Sequence, residues 1–374
     1  MTHTISLHSV PFFEYASVFT SEKEDFVGIV RGAGGRGAFI MQRDLADFER
    51  NLADFVGAKH AVGVGNATDG LHLSLRAAEI GVGSEVILSS HTMVATAGAV
   101  HFAGAIPIPV ECGSDHLIDA DTIKPAITPR TKAIMPTQLN GRTCDMDRLQ
   151  TIADKHGLLI IEDAAQALGS KYKGKCAGTF GLASAISFYP AKVLGCFGDG
   201  GAVITNDDTM YERFLELRDH GRNKNGKIVS WGLNSRLDNI QAAILDLKLK
   251  RYERVIERRR RIARHYTERL KDLPELVLPP APDSDSDHFD IFQNYEIEAE
   301  RRDELREWMK ERRIGTLIQW NGQAIHHLKA LGFTQSLPYT DYLFTRMLML
   351  PMNMSLSDED ADYVCDNIRE FYGR

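Results

Sequence analysis

Apolar positions fall along this chain in short blocks, and their period switches repeatedly between that of a helix and that of a strand. Over residues 42–56, Leu45, Phe48, Leu52 and Phe55 recur at helical spacing and predict a helix with one buried face. Gly57 to His60 stops it, and residues 61–65 read as a short strand. The next helix carries Leu71, Leu75 and Ala78 on one face, flanked by Leu73 and Ile80. Strands are then predicted over 85–88, 106–110, 132–136 and 158–161, interleaved with helices over 91–102, 122–127 and 146–156. The run Leu158-Leu159-Ile160-Ile161 is apolar at every position, as in a strand of a parallel sheet covered on both faces. Two further β-type runs begin at Ser184 and span 202–205. Alternation of this kind predicts an α/β architecture.

The flanks read differently. Residues 9–30 suggest an extended arm running into a short helix, and residues 32–40, rich in glycine, a flexible loop. Beyond the β-type runs come a helix over 209–218, a polar loop over 219–231 and a long amphipathic helix over 237–256. Its continuation over 248–264 is crowded with Lys and Arg, but Glu253 and Glu257 interleave, so it reads as the solvated face of a linking helix. A proline- and aspartate-rich loop over 279–287 precedes a strand over 291–297, a helix over 302–312 and a strand about 316–320. An apolar run at 348–351 and a last helix over 358–372, capped by Ser357, complete the chain. The expected division is an N-terminal arm and large domain over 1–246 and a small α+β C-terminal domain over 247–374.

Composition narrows the function. A chain of 374 residues is long enough for two packed units. Its formal net charge of −7 speaks against nucleic acid and anionic membranes as partners. Its apolar runs are too short to span a bilayer. Residues 1–6 lack the basic and apolar regions of a secretory signal, so a cytoplasmic location is expected. Cys112, Cys144, Cys176, Cys196 and Cys365 are scattered without a C-x-x-C pair, which argues against a disulfide framework or zinc site. Cys196 reads as a buried filler rather than a nucleophile. His326 and His327 lack acidic or Cys neighbours at ligand spacing, so no metal is expected.

Three stretches carry candidate chemistry. Gly65-Asn66-Ala67-Thr68-Asp69-Gly70-Leu71 joins a strand to a helix start, either a phosphate site or a plain N-cap by Asn66 or Thr68. Gly63-x-Gly65 is only half a dinucleotide fingerprint, because Thr68 stands at the third glycine position. Asp163 ends an apolar strand, the end at which ligands of open α/β sheets sit. Lys192 stands five residues after Ser187 and before the loop Gly198-Asp199-Gly200-Gly201, a candidate Schiff-base lysine. Phosphate anchor, carboxylate and amine are together the parts that pyridoxal 5′-phosphate requires.

With these motifs, and with Glu162-Asp163-Ala164-Ala165-Gln166-Ala167, Ser187-Phe188-Tyr189-Pro190-Ala191-Lys192 and Asn234-Ser235-Arg236 followed by Gln241-Ala242-Ala243, the chain resembles the DegT/DnrJ/EryC1/StrS sugar aminotransferases from about Gly37 onward. The resemblance implies the aspartate aminotransferase fold, type I, with a large domain built on a mostly parallel central sheet, a smaller α+β domain and a homodimer with shared active sites. It implies that Lys192 joins the cofactor aldehyde and shuttles a proton, that Asp163 pairs with the pyridinium nitrogen, and that Gln166 lies over or beside the ring oxygen. Thr68, Asp69 and Ser187 would hold the phosphate, completed by Asn234 of the other subunit. Met93 stands where the family usually has an aromatic ring against the cofactor. Arg236 is a candidate for the donor carboxylate, and Phe39, Trp320 and His326 are further substrate-side candidates.

The stretch Leu317 to His327 replaces the family's His-Tyr-Pro-type substrate loop, as in members with unusual acceptors, among them an eight-carbon keto-deoxy sugar acid. The expected activity is transfer of an amino group, from L-glutamate, to a keto- or aldehydo-sugar for a cell-envelope glycan. The alternatives are a dehydratase or synthase of the same family, although dehydratases carry histidine where Lys192 stands, and a non-catalytic regulator.

Overall fold

The computed structural model describes residues 8–374; the expectation drawn from residues 1–6 lies outside them. After an extended start come α1 (Tyr15–Ser21), α2 (Lys23–Arg36) and α3 (Arg43–Val56). The α/β body follows: β1 (His60–Val64), α4 (Ala67–Ala77), β2 (Glu85–Ser89), α5 (Val94–Phe102), β3 (Ile106–Val110), α6 (Ala120–Ala126), β4 (Thr131–Met135), α7 (Met146–His156) and β5 (Leu159–Asp163). The short β6 (Lys171–Tyr172) and β7 (Lys175–Cys176) precede β8 (Ala183–Ser187), β9 (Gly201–Thr205) and α8 (Asp208–Leu217). The remainder comprises α9 (Asn239–Leu249), α10 (Tyr252–Leu270), β10 (Leu276–Val277), β11 (His288–Phe289), β12 (Tyr295–Ala299), α11 (Arg302–Glu311), α12 (Pro338–Arg346), β13 (Met347–Leu350) and α13 (Asp358–Phe371).

Seven strands form one sheet in the order β1-β9-β8-β5-β4-β2-β3. Only β9 runs against its neighbours, because it returns directly from β8 without a crossover helix. β5 and β8 are parallel and adjacent, with Asp163 opposite Ala185. The carboxyl end of one therefore lies beside the carboxyl end of the other, which sets the Asp163 strand end next to the Lys192 turn. A second, antiparallel sheet, β10-β12-β13, shares a core with α10, α11 and α13 through Tyr266, Tyr295, Leu305 and Val364. Val10 joins that core, donating to the Arg313 carbonyl and accepting from Gly315 N. No helix among the described residues is long and apolar enough to cross a membrane.

Several elements depart from expectation. The glycine-rich stretch at 32–36 is helical, not a loop: Phe26 and Ala33 bury one face of α2, and packing outweighs the roughly 1 kcal/mol each interior glycine costs. The helix expected over 237–264 is broken at Lys250 and Arg251. Arg251 there pairs with Glu22 and Asp25. Nor is the basic stretch simply a solvated face. Arg259 is buried and donates to the Phe292 and Gln293 carbonyls, and buried Arg260 donates to the Asp290 carbonyl. The predicted strand about 316–320 is reduced to a bridge between Leu317 and Met349. Trp320 and Asn321 follow with φ of 47° and 56°, values that end a strand. The helix expected from residue 91 starts at Val94, because the Thr92 hydroxyl bonds Thr96 and Thr137 instead. The Ser357 cap is present as a reciprocal pair with Asp360.

Candidate active site

The Lys192 turn is held at both ends. Phe188 N donates to Gly200 O, Cys196 N to Phe188 O and Lys192 N to Tyr189 O, each at 2.8 Å. A side chain at Gly195 would lie 2.7 Å from the Pro190 carbonyl, so only glycine lets the loop fold this tightly. Gln293, just before β12, clamps the lysine: its Nε2 donates to Ala191 O at 3.0 Å and its Oε1 accepts from Val193 N at 2.9 Å. A cavity of about 440 Å³ adjoins Lys192 and is lined also by Phe12, Tyr15, Arg259, Asn294 and Met352. Lys192 keeps some accessible surface, yet dense protein around the amine lowers its pKa to about 8 by desolvation, opposed by the charge of Asp163. Cys196 is buried, and burial pushes its thiol up to about 11, so it is a filler and not a thiolate nucleophile.

Asp163 is buried, and desolvation raises its pKa against bonds from Thr96 and Ala165 and the charge of Lys192. Thr96 Oγ1 donates to its Oδ2 at 2.7 Å and Ala165 N to its Oδ1 at 3.2 Å. The neighbouring Glu162 serves the fold instead, accepting from Gln138 Nε2 and from the N–H groups of Gly178, Phe180 and Gly181.

The first turn of α4 lies against the same sheet. Gly201 of β9 passes so close that a Cβ there would sit 2.5 Å from the Asn66 carbonyl carbon. Asn66 is the N-cap, accepting from Asp69 N at 2.8 Å, which settles which residue caps the helix. Asp69 Oδ2 accepts from Ser235 Oγ at 2.6 Å, and that hydroxyl in turn accepts from Gly65 N. Thr68 is half-buried on this turn, and Ser187 ends β8 with its Oγ accepting from Tyr189 N. Gln166 Oε1 accepts from Asn140 N at 2.9 Å and Asn294 Nδ2 at 3.3 Å. Its acceptor end is thus engaged, and its NH₂ remains for a ligand.

The substrate-side candidates are scattered. Arg236 is paired with Asp219 at 2.8 Å. Phe39, Met93 and Asn234 are exposed. Trp320 packs edge-on to His91. His326 is buried between Ser90 Oγ at 2.6 Å and Asp341 at 2.9 Å. Ser235 stood inside the Asn234-Ser235-Arg236 motif without a role assigned to it, and Thr96, Gln293 and Asn140 went unnoticed in the sequence, where polar residues far from a motif carry little signal. Only Thr96 had one, its position four residues after Thr92 on a predicted helix.

The description "DegT/DnrJ/EryC1/StrS aminotransferase family" matches residues 20–369. The chain belongs to this family. A Streptomyces venezuelae protein named as a dTDP-3-amino-3,4,6-trideoxy-alpha-D-glucose transaminase is 38% identical, with 98% of this chain and 97% of that protein covered. A protein of Geobacillus stearothermophilus named as a pleiotropic regulatory protein is also 38% identical, over 97% of this chain and 99% of its own. The crystal structure of S. venezuelae DesV, solved with a reaction intermediate, superposes with a TM-score of 0.93 at 38% identity over 98% of this chain and 99% of that one.

The protein is thus an aminotransferase of the DegT/DnrJ/EryC1/StrS family, and its cofactor is pyridoxal 5′-phosphate. The donor set fits that group: a desolvated amine, a buried carboxylate one strand away, and a helix N-terminus against Gly201. Only a neutral amine attacks an aldehyde. Cofactor uptake by the apoprotein should therefore accelerate with pH through a midpoint near 8, the Lys192 value. Stopped-flow absorbance across the neutral to alkaline range measures it, and a rate still climbing toward the ordinary lysine value contradicts it.

Proposed function

We propose that this aminotransferase moves an amino group from L-glutamate to a keto- or aldehydo-sugar, either nucleotide-linked or an eight-carbon keto-deoxy sugar acid, for a cell-envelope glycan. The observation that carries the reading is the adjacency of the Asp163 and Lys192 strand ends on β5 and β8. It is supported by relatives named as dTDP-sugar and UDP-sugar transaminases. In this reading the protein is a cytoplasmic homodimer with shared sites, and each chain divides near residues 246 and 247, just before the break between α9 and α10.

Bound, the cofactor supplies an electron sink conjugated with its aldehyde carbon. Lys192 would hold that carbon and, once free, would carry a proton to and from the substrate carbon. Asp163, kept in place by Thr96 and Ala165, would be ionised when paired with the ring N–H and would so keep that nitrogen protonated. Gln166 presents its NH₂ to the ring oxygen. Thr68, Ser187 and the α4 N-terminus would hold the phosphate. Asp69, already bonded to Ser235, would act by positioning that segment, and Asn234 beside it would reach the phosphate held in the partner subunit. Met93, exposed beside the start of α5, would pack against the ring through its thioether. Arg236 meets the donor carboxylate after exchanging Asp219 for it. Phe39, Trp320 and His326 border the acceptor side.

The name of the Geobacillus relative favours a second reading, a regulator that binds the cofactor without turnover. One experiment separates them. Glutamate is added to the cofactor-loaded protein to convert it to the amine form, and a panel of nucleotide-linked and free keto-sugars is then tested for return of the aldehyde-form absorbance. Failure of glutamate to convert the cofactor leaves the regulatory reading or another donor. Conversion without return from any sugar sinks the acceptor assignment.

A further inference from the structure

Under the Trp320 loop, three side chains from separate elements converge. His91 follows β2, His116 lies between β3 and α6, and Glu296 belongs to β12 of the smaller sheet. All three are buried, with His91 at 0% exposure. His91 Nδ1 lies 3.0 Å from the His116 carbonyl oxygen. A carbonyl only accepts, so Nδ1 bears the hydrogen and, in the neutral ring, Nε2 bears the lone pair. That Nε2 is buried without a hydrogen-bond partner. It faces Glu296 Oε1 at 3.7 Å, an acceptor opposite an acceptor. Such a contact is unfavourable unless something cationic lies between. His116 Nδ1 is 2.9 Å from the same oxygen, and the three ligand atoms lie within 4.8 Å of one another.

We propose that His91 Nε2, His116 Nδ1 and Glu296 Oε1 bind a divalent transition metal ion, zinc by ligand type. Two imidazoles and a carboxylate are a zinc donor set, and bonds of about 2.0–2.1 Å at tetrahedral angles put ligand atoms about 3.3 Å apart. The observed 2.9 and 3.7 Å bracket that spacing. The surrounding bonds are those that orient metal ligands: the His116 carbonyl fixes the His91 tautomer, Gln319 Nε2 donates to Glu296 Oε2 at 2.7 Å, and Asn140 Nδ2 donates to Oε1 at 3.0 Å. His116 Nε2 lies 3.5 Å from Glu298. A cavity of about 50 Å³ lined by His116, Asn140, Asp290 and Glu296 adjoins the cluster. It offers an entry path and room for a water as fourth ligand.

On binding, the ion takes the place of the hydrogen between His116 and Glu296, and that proton leaves to solvent. The ion is structural. It ties β12 to the loops after β2 and β3, and through Asn140 it steadies the main-chain N–H that holds Gln166. Spacing along the chain gave no hint of it, because the ligands are 25 and 180 positions apart. His326, His327 and Asp341 form a second cluster, but their nitrogens are already bonded to Ser90, Asp341 and Ala324 N.

The test is elemental analysis of the cofactor-loaded enzyme, stripped with a chelator, incubated with zinc or cobalt(II) chloride and desalted. The expected result is one equivalent per chain, with the visible bands of a tetrahedral site for cobalt. His91→Gln and Glu296→Gln, which each remove a ligand, should weaken retention by more than the roughly 10–100-fold that follows loss of a group merely supporting a ligand, and His327→Ala should leave it unchanged. His91→Gln keeps the His116–Glu296 pair, so it stands as the test even where Glu296→Gln fails to fold. No retained metal in the wild type, equal retention by His91→Gln, or loss only in His327→Ala each overturns the site.

Discussion

The Lys192→Ala protein should bind pyridoxal 5′-phosphate without any borohydride-reducible link to the chain, and its turnover should fall by at least about 10²–10⁴-fold, the usual worth of a positioned proton carrier. The expectation rests on the amine's place. It stands on a turn fixed by Gly195 and clamped on both sides by Gln293, where desolvation brings it to about 8 and makes a neutral amine available near physiological pH. Added small amines should restore part of the rate, because they replace the proton carrier without its tether. Mass spectrometry after borohydride treatment reads the first effect and steady-state kinetics the second. A reducible link that survives the substitution transfers the role to another lysine.

Asp163→Asn should act in opposite directions on activity and on apoprotein stability. Turnover should drop by about 10²–10³-fold, the range for removing one preorganised electrostatic partner, since an amide cannot hold the ring nitrogen protonated. In the apoprotein the carboxyl is raised above its unfolded value, chiefly by burial. A raised acid binds more protons folded than unfolded, so its contribution is fully present below the unfolded pKa, about 4. It is lost as pH rises through the folded value. The apo variant should therefore melt above the apo wild type at neutral pH, and the gap should close on acidification. With cofactor bound the order should reverse, because the ring N–H pairs only with the carboxylate. Thermal melts of both proteins, with and without cofactor at two pH values, check this. A variant less stable than wild type in the apo form at neutral pH rules out an unpaired buried charge at this position.

Both residues were legible because each is punctuated locally. Asp163 stands two residues after a run of four apolar residues, and Lys192 sits between a β-type run and a glycine loop. Their support was not legible. Thr96 reaches Asp163 from α5, Gln293 reaches the lysine turn from a hundred residues away, and Asn140 takes the acceptor end of Gln166. Each depends on which elements are neighbours in space. The misread elements have the same origin. Gly32, Gly34 and Gly35 are poor helix formers in isolation, yet they sit in α2 beside the buried Ala33. The run at 316–320 has strand-like residues, but Gln319 turns inward to Glu296 and Asn140, and the backbone leaves the strand at Trp320.

By itself the sequence determined the α/β alternation, the cap at Ser357, and the amine and the carboxylate of the chemistry. Those follow from local rules: apolar periodicity, hydrogen bonding within a few residues, and the kinds of side chain that a strand end or a tight turn carries. Only the tertiary structure decided that β5 and β8 are neighbours, that burial shifts both Lys192 and Asp163, and that His91, His116 and Glu296 meet. Desolvation and convergence arise from packing between residues distant in the chain, and no local pattern encodes them.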